Sequence, residues 1–221
     1  MTYCTFLGMS SSDILKYSNI KNKVEYIQMS FKENGYVHIK NVLPNDYCRL
    51  VTQYTLFEQM NDVNGKNLEG VTDQVPGTHS VYSDSLMESF LRFLQPVAEK
   101  HSELELIPTY SYYRIYKSGD ILRPHRDRPS CEISMTLTLD YYYTDVDKDY
   151  KWPLIMNNKP IVIDSGDAVL YRGCDNEHER KKLDVGEESF HVQVFLHYVD
   201  ANGPYAEEYK FDGRPNIGIK K

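Results

Sequence analysis

The chain has 221 residues, of which 41% are hydrophobic, and its formal net charge is −7. This length and composition are typical of a folded domain rather than a disordered chain. The acidic balance argues against a binder of duplex nucleic acid, although it leaves room for a local basic cleft. No linker, repeat or low-complexity run divides the sequence, so we expect a single domain over residues 1–221.

The first hundred residues predict helices with one strand among them. Residues 22–35 carry apolar side chains at helical spacing, and Gly35 stands where the residue after a helix belongs. Residues 36–43 predict a strand. A second helix is expected from Asn45, its N-cap, to about Met60.

A polar loop and a third helix complete this helical part, which we place at about residues 1–104. Residues 61–80 contain three glycines and a proline, which is typical of a lid, a binding loop or a mobile segment. Residues 74–82 are a candidate for covering a substrate, with freedom supplied by Gly77. Ser83-Asp84 predicts the cap of the third helix. Its expected buried stripe is Leu86, Phe90, Phe93, Leu94 and Val97, and Pro96 should bend or shorten its end.

From about residue 105 the hydrophobic pattern changes to a period of two, which indicates strands. The clearest example is the alternation of Ile133, Met135, Leu137 and Leu139 with Ser134, Thr136 and Thr138. The predicted strands are residues 110–117, 121–125, 132–143, 152–156, 159–163, 167–172 and 189–199. Many short strands joined by turns predict a mainly β fold, a β-sandwich or jelly roll. We place it at about residues 105–200, followed by a C-terminal tail over 201–221.

The cysteines and the N-terminus bear on the compartment. Cys4, Cys48, Cys131 and Cys174 form no CxxC pair, so we expect reduced thiols rather than a zinc ribbon or a disulfide framework. The first residues lack the features of a signal peptide, and no apolar run reaches the length of a membrane span. The sequence therefore predicts a cytoplasmic protein (in the host cytoplasm if its source is viral) without membrane contact.

His125 and Asp127 are candidate metal ligands. They lie two residues apart at the end of a predicted strand, where such residues share one face. The similar His101-Ser102-Glu103 ends a predicted helix, on which residues i and i+2 lie about 200° apart. A metal site needs a further ligand, and the later histidines are His178, His191 and His197. Two histidines and one carboxylate on one face of an octahedral metal are diagnostic of non-haem Fe(II) oxygenases.

Three stretches carry an ordered set of motifs: YYRIYKSGDILRPHRDRPSCEISMTLTL, IDSGDAVLYRGCDNEHER and HVQVFLHYVD. In this order they resemble the Fe(II)/2-oxoglutarate-dependent dioxygenases of the prolyl 4-hydroxylase-like group, particularly bacterial and phage members. GYVHIKNVLPNDYC resembles the same group more loosely. The resemblance implies a double-stranded β-helix, which is a jelly roll, with supporting N-terminal helices. It implies Fe(II) held by His125, Asp127 and His178, with 2-oxoglutarate and O2 as co-substrates and ascorbate as an optional reductant.

The position of each later histidine agrees with this ligand set. His178 follows the predicted strand 167–172, which would deliver it to the end of the sheet. His191 and His197 share one face of the next strand with Gln193 and Phe195, where they are expected to line the barrel interior.

The 2-oxoglutarate site is the part where the sequence departs from the resemblance. Tyr116 matches the family tyrosine that contacts 2-oxoglutarate. The distal carboxylate of 2-oxoglutarate requires a cation, preferably a bidentate one, and the family position at the start of the last strand holds His191 instead of Arg or Lys. Arg180 is the first candidate for the cation, His191 the second and Arg114 the third, although either arginine could equally be a surface charge.

The resemblance implies hydroxylation of a C–H bond coupled to conversion of 2-oxoglutarate to succinate and CO2, with a prolyl residue in a peptide or protein as the first substrate class. The alternatives are a hydroxylase of small molecules or free amino acids, a non-catalytic cupin-like metal-binding module, and a zinc hydrolase with the same ligands. Arginines are concentrated near the proposed site: Arg123, Arg126, Arg128, Arg172 and Arg180. They either recruit an anionic substrate or balance nearby carboxylates.

Overall fold

The structure is a computed structural model that describes residues 31–62 and 74–219. Most of the helix predicted at 22–35, most of the polar loop and Cys4 lie outside the described residues. Residues 31–34 are helical, and Gly35 follows with a φ of +74° while its N–H donates to the Phe31 carbonyl. Gly35 therefore ends this helix as predicted. No described helix has both the length and the apolar character needed to cross a membrane.

Besides the helical end at residues 31–34, the described residues form ten strands and three α-helices. In chain order the strands are β1 (Tyr36–Ile39), β2 (His79–Tyr82), β3 (Leu106–Tyr116), β4 (Leu122–His125), β5 (Ile133–Tyr142), β6 (Leu154–Met156), β7 (Lys159–Ile161), β8 (Ala168–Arg172), β9 (His178–Arg180) and β10 (Phe190–Asp200). The helices are α1 (Asn45–Asp62), α2 (Ser85–Ser102) and α3 (Ala206–Tyr209). A 3₁₀ turn covers Pro129–Cys131.

The strands form two antiparallel sheets. The larger sheet has the order β1-β8-β5-β10-β3-β2, and the smaller one has the order β4-β9-β6-β7. Apart from β2-β3 and β6-β7, neighbouring strands are not consecutive in sequence, and from β3 to β10 the chain alternates between the two sheets as it does in a jelly roll. Side chains of the two sheets meet, since Tyr171 of β8 packs with Leu154 and Met156 of β6. The mainly β jelly roll expected from the sequence is confirmed.

The alternation along β5 separates two buried environments. Ile133, Met135 and Leu137 join the main hydrophobic core, to which α2 contributes Leu91 and Leu94. Thr136 and Thr138 point to the opposite face, yet they are only 2% and 0% exposed. Both bond there to Gln193 of β10, at 2.6 and 2.9 Å. The larger sheet thus packs an apolar face on the helices and turns a polar, hydrogen-bonded face into the barrel.

Two predictions about the β part need correction. β2 overlaps the end of the predicted polar loop (61–80) and lies within the segment 74–82 expected to cover a substrate, where it pairs with β3 from His79 to Tyr82. β9 was not predicted, because three residues with a central glutamate give no hydrophobic alternation. Its pairing with β4 and β6 defines it as a strand.

Three predictions about the helices can also be compared with the structure. Asp84 caps α2, accepting bonds from the backbone N–H groups of Leu86 and Met87 as predicted. Phe93 is 69% exposed, so its predicted place in the buried stripe was wrong. Pro96 does not shorten the helix, since α2 continues to Ser102. α1 begins at Asn45, which is therefore the first helical residue rather than the cap.

Candidate metal centre

The antiparallel pairing of β4 with β9 brings two histidines together. His125, the last residue of β4, is the register partner of His178, the first residue of β9. Directly opposed residues of an antiparallel pair project to the same face. The two ring centroids are 4.2 Å apart, and the His178 ring is buried.

Asp127 completes a group of three possible ligands. Its backbone N–H donates to the Gly173 carbonyl at 2.9 Å, which holds the residue beside the end of β8. Its Oδ1 lies 3.6 Å from Nε2 of His125 and 3.6 Å from Nε2 of His178. One ligand atom from each residue falls within 4.8 Å of the other two. The three residues could therefore hold a single metal ion.

Backbone carbonyls orient both imidazoles. His125 Nδ1 lies 2.9 Å from the Arg123 carbonyl, and His178 Nδ1 lies 3.0 Å from the Asn176 carbonyl. A carbonyl only accepts, so each Nδ1 carries a proton and Nε2 is the nitrogen left on the Asp127 side to bind a metal. Metal-binding histidines are commonly fixed in this way.

A second set of contacts holds the Asp127 carboxylate. Ser134 donates to Asp127 Oδ2 at 3.2 Å, and its hydroxyl lies 2.9 Å from His197 Nδ1. Gly173 provides the space that Asp127 needs, because a Cβ there would lie within 3.0 Å of both the Cys131 carbonyl and the Asp127 side chain.

The charges of the three groups suit cation binding at neutral pH. Burial disfavours the ionised form of Asp127. The hydrogen bond with His125 and the nearby charge of His178 outweigh this effect, and together they lower the pKa of the carboxyl to about 2. Burial lowers the pKa of His178. Burial opposes the charged form of His125, but its contact with Asp127 raises the pKa of this imidazole. At neutral pH the group therefore offers one carboxylate and one imidazole held neutral by burial.

A cavity of about 290 Å³ opens beside the three ligands. Its walls combine aromatic and cationic side chains, and Asp127 is the one carboxylate among them. The lining residues are Gln74, Tyr110, Tyr112, Arg114, Leu122, His125, Arg126, Asp127, Arg128, Cys131, Tyr171, His178, Phe195 and His197. His197 and Phe195 thus line the interior, as expected from their shared face.

The predicted co-substrate residues lie together in a buried inner cluster, which we define as Tyr116, Trp152, Arg180, His191 and Gln193. Tyr116 and His191 are register partners on β3 and β10, with ring centroids 6.3 Å apart. The Arg180 guanidinium lies over the Trp152 ring, donates to the Trp152 carbonyl at 2.6 Å and reaches Gln193 Oε1 at 3.1 Å. Members of the inner cluster do not line the cavity.

The remaining arginines are divided between the cavity and the surface. Arg114 lines the cavity and is only 1% exposed. Arg126 and Arg128 lie at the mouth, where Arg128 forms an ion pair with Asp212 at 3.1 Å. Arg172 lies over the Phe31 ring and Arg123 is exposed, so neither belongs to the cavity wall. His101 is a buried residue in the last turn of α2, away from the metal centre.

Several contributing residues were missed by sequence reasoning. Gly173 and Ser134 support Asp127, and Trp152 and Gln193 surround Arg180. Ser134 and Gln193 each stand on the polar side of an alternating strand, which was the available signal. Gly173 and Trp152 had none, because their contacts are made across the fold.

No protein-family model matches the chain, and no curated protein matches it in sequence. Solved structures do match. A prolyl-4-hydroxylase of Pseudomonas putida has a TM-score of 0.56 and 15% identity, covering 79% of this chain and 98% of that one. A prolyl hydroxylase of Trichoplax adhaerens, in complex with a peptide of hypoxia inducible factor, has a TM-score of 0.57 and 17% identity, covering 87% and 94%.

A third similar structure has a small-molecule ligand. HygX of Streptomyces hygroscopicus, with nickel, 2-oxoglutarate and hygromycin B bound, has a TM-score of 0.57 and 11% identity, covering 80% of this chain and 87% of that one. At these identities the similarity establishes the fold alone. The chain has the double-stranded β-helix fold of these oxygenases, as the resemblance implied.

Proposed function

We propose that this protein is an Fe(II)- and 2-oxoglutarate-dependent dioxygenase that hydroxylates a C–H bond. The observation that carries the proposal is the convergence of His125, Asp127 and His178 at the cavity of a jelly roll. Two imidazoles and one carboxylate on one side of an octahedral ion leave positions for a bidentate co-substrate and O2. In this proposal residues 1–221 form one oxygenase domain.

The chain's own residues fit such an ion. His125, Asp127 and His178 would hold it, the Arg123 and Asn176 carbonyls would keep both Nε2 atoms available, and Ser134 would orient the carboxylate. When bound, iron and 2-oxoglutarate would supply the oxidising chemistry, in which O2 is consumed and 2-oxoglutarate becomes succinate and CO2.

The inner cluster is the proposed anchor for the distal carboxylate of 2-oxoglutarate. Arg180 lies two residues beyond His178 on β9, which places the two Cα atoms about 7 Å apart on the same face. Burial lowers the pKa of the Arg180 guanidinium, and an anion beside it would remove part of that cost. Tyr116 would donate a second bond. Burial and the charge of Arg180 hold the pKa of His191 well below its ordinary value, so His191 would stay neutral there.

Arg180 is separated from the cavity by its present hydrogen bonds. Arg180 does not line the cavity in the described structure, where its guanidinium bonds to Trp152 and Gln193. Entry of 2-oxoglutarate therefore requires the inner cluster to open toward the metal ligands. His191 is the second candidate for the anchor, and Arg114, which faces the cavity directly, is the third.

The proposed substrate class is a prolyl residue in a peptide or protein, by resemblance to the prolyl 4-hydroxylase-like group. One observation favours a second candidate, a small molecule or free amino acid. The cavity of about 290 Å³ is at the lower limit for small-molecule pockets, so it accommodates a small ring more readily than a long peptide segment.

The test is consumption of 2-oxoglutarate by the iron-loaded protein. Protein purified without oxygen is loaded with Fe(II), and succinate release and O2 uptake are followed with ascorbate present. Prolyl peptides, the same peptides with alanine in place of proline, and free L-proline are compared. We expect succinate release that Asp127→Asn abolishes. A zinc hydrolase or a cupin-like binding module would release none, and stimulation by a peptide or by the free amino acid separates the two substrate classes.

A further inference from the structure

Two buried guanidinium groups face the barrel interior, and neither forms an ion pair within residues 31–62 and 74–219. Arg114 is 1% exposed and Arg180 is 2% exposed. Arg114 reaches the hydroxyls of Tyr112 at 3.2 Å and Tyr116 at 3.4 Å, and its Nε has no hydrogen-bond partner among the described residues. A buried cation with neutral partners only is costly unless an anion joins it.

The nearest acidic side chains do not compensate for Arg114. Asp127 belongs to the proposed metal site. Asp120 accepts a bond from the Lys117 backbone N–H at 2.8 Å and makes no ion pair with Arg114. Burial raises the pKa of Asp120 and outweighs the lowering effects of Lys117 and Arg114, so Asp120 is not a close ion-pair partner of Arg114.

This inference rests on the proposed function, because the net charge in the barrel interior depends on the bound metal ion and 2-oxoglutarate. A divalent ion with Asp127 is left with one positive charge, and the two guanidinium groups add two more. The two carboxylates of 2-oxoglutarate neutralise two of these three charges, so one positive charge persists. Arg180 lies behind the cavity wall, whereas Arg114 is part of that wall. The remaining positive charge therefore faces the space that the substrate occupies.

Aromatic rings surround the Arg114 guanidinium on the cavity side. Its Cζ lies 5.3 Å from the Tyr112 ring centroid, and Tyr112 and Phe195 face each other with centroids 6.0 Å apart. Arg126 continues the positive sign toward the mouth, where Arg128 is paired with Asp212. Such walls suit a ligand that joins a small ring or apolar body to an anionic group.

We propose that the substrate carries a carboxylate that pairs with Arg114 inside the cavity, with its ring or apolar part against Tyr112 and Phe195. Arg114 is then a specificity-determining residue. Arg114 lines the cavity, and its planar guanidinium can offer a carboxylate two parallel N–H donors. The carboxylate comes either from a free acid or from an acidic residue beside the reacting position of a peptide.

The test uses calorimetry on protein loaded with Zn(II), which is redox-inert, and saturated with 2-oxoglutarate. Benzoate is the carboxylate probe and benzamide its uncharged counterpart of nearly equal shape. Acetyl-Pro-Glu-amide and acetyl-Pro-Gln-amide form a peptide pair that differs in the same way. We expect the acid of at least one pair to bind at least tenfold more tightly than its amide. Arg114→Gln should remove that difference, whereas Arg92→Gln, on the exposed side of α2, should retain it.

Binding of Zn(II) and 2-oxoglutarate is measured first, so that failure of the proposed function can be distinguished from failure of the carboxylate proposal. Preference for benzoate identifies a free acid, and preference for the Glu peptide identifies an acidic peptide. The proposal is overturned if neither acid binds better than its amide in wild-type protein, or if Arg114→Gln leaves the preference intact. It is also overturned if Arg114→Gln mainly weakens 2-oxoglutarate, since Arg114 would then be the co-substrate anchor. If the Gln variant fails to fold, Arg114→Lys keeps the charge but loses the planar pair of donors, so it should reduce the preference for the acid without abolishing it, and an unchanged preference would overturn the proposal.

Discussion

His125 and His178 are register partners on adjacent antiparallel strands, and their ring centroids lie 4.2 Å apart across that pairing. They are separated by more than fifty residues of sequence, so the pairing of β4 with β9 alone brings them together. Asp127 enters the same site because the chain leaves β4 and bonds at once to Gly173. The metal centre is therefore a product of sheet register, and its integrity should be sensitive to groups that fix that register.

Asp127→Asn should lower affinity for a divalent metal at least 100-fold while leaving the fold intact. The substitution keeps the shape of the side chain but removes the one anionic ligand, whose lowered pKa makes it fully ionised at neutral pH. Calorimetric titration with Zn(II) measures the change. Asp147→Asn, on an exposed loop, is the matched control and should bind metal as wild type does.

Gly173→Ala should weaken metal binding through Asp127, although residue 173 is not a ligand. A Cβ there would overlap the Cys131 carbonyl and the Asp127 carboxylate, so the loop must shift. We expect at least a tenfold loss of metal affinity, together with a lower melting temperature. Wild-type metal affinity in this variant would show that the carboxylate adapts and that Gly173 has no part in the site.

Arg180→Gln should weaken 2-oxoglutarate binding by about 30-fold or more, since loss of a buried charge partner costs about 2–5 kcal/mol. Affinity for the metal should be unchanged, because Arg180 does not contact the three ligands. Anaerobic titration of 2-oxoglutarate into metal-loaded protein gives both values. If the affinity for 2-oxoglutarate is retained, His191 and Arg114 become the anchors to test.

The metal-free protein should lose stability as the pH falls from about 6.5 to 4. His197 is buried, and burial lowers its pKa to about 4 from an ordinary value near 6.5. The unfolded chain therefore binds a proton in this range that the folded chain resists, which destabilises the fold by up to about 3 kcal/mol at the acid end. His178 and His191 act in the same direction.

Urea unfolding at pH 4.5 and pH 7.0, with a chelator present, measures this effect. His197→Gln should have a smaller difference in unfolding free energy between the two pH values than wild type has. If the difference in unfolding free energy between the two pH values is the same in both proteins, His197 is protonated in the folded state, contrary to its buried position.

The sequence predicted the long alternating strands β5 and β10 and missed the short strand β9. β5 and β10 were predicted because they pack apolar residues on the helices at every second position. β9 was missed because its three residues carry a glutamate between His178 and Arg180, and only pairing with its neighbours makes it a strand. Propensity is weak in so short an element, and tertiary pairing decides its conformation.

The sequence predicted some residues of the candidate site but not their contacts. His125 and Asp127 could be placed on one face from strand geometry, and Arg114 shares a face with Tyr116 for the same reason. The lack of an anionic partner for both buried arginines could not be predicted, because it depends on how the strands pack. Arg180 bonds to the Trp152 carbonyl and Gln193, and Arg114 bonds to the hydroxyls of Tyr112 and Tyr116.

The most direct test of the proposed function is an anaerobic titration of the metal-free protein with Fe(II) and then 2-oxoglutarate, monitored in the visible spectrum. We predict a weak charge-transfer band that appears only when both are present, and that His178→Ala abolishes. Its appearance would show 2-oxoglutarate chelated to iron at this site. If iron binds to wild-type protein and 2-oxoglutarate produces no band, the dioxygenase assignment is contradicted and the site serves another metal chemistry.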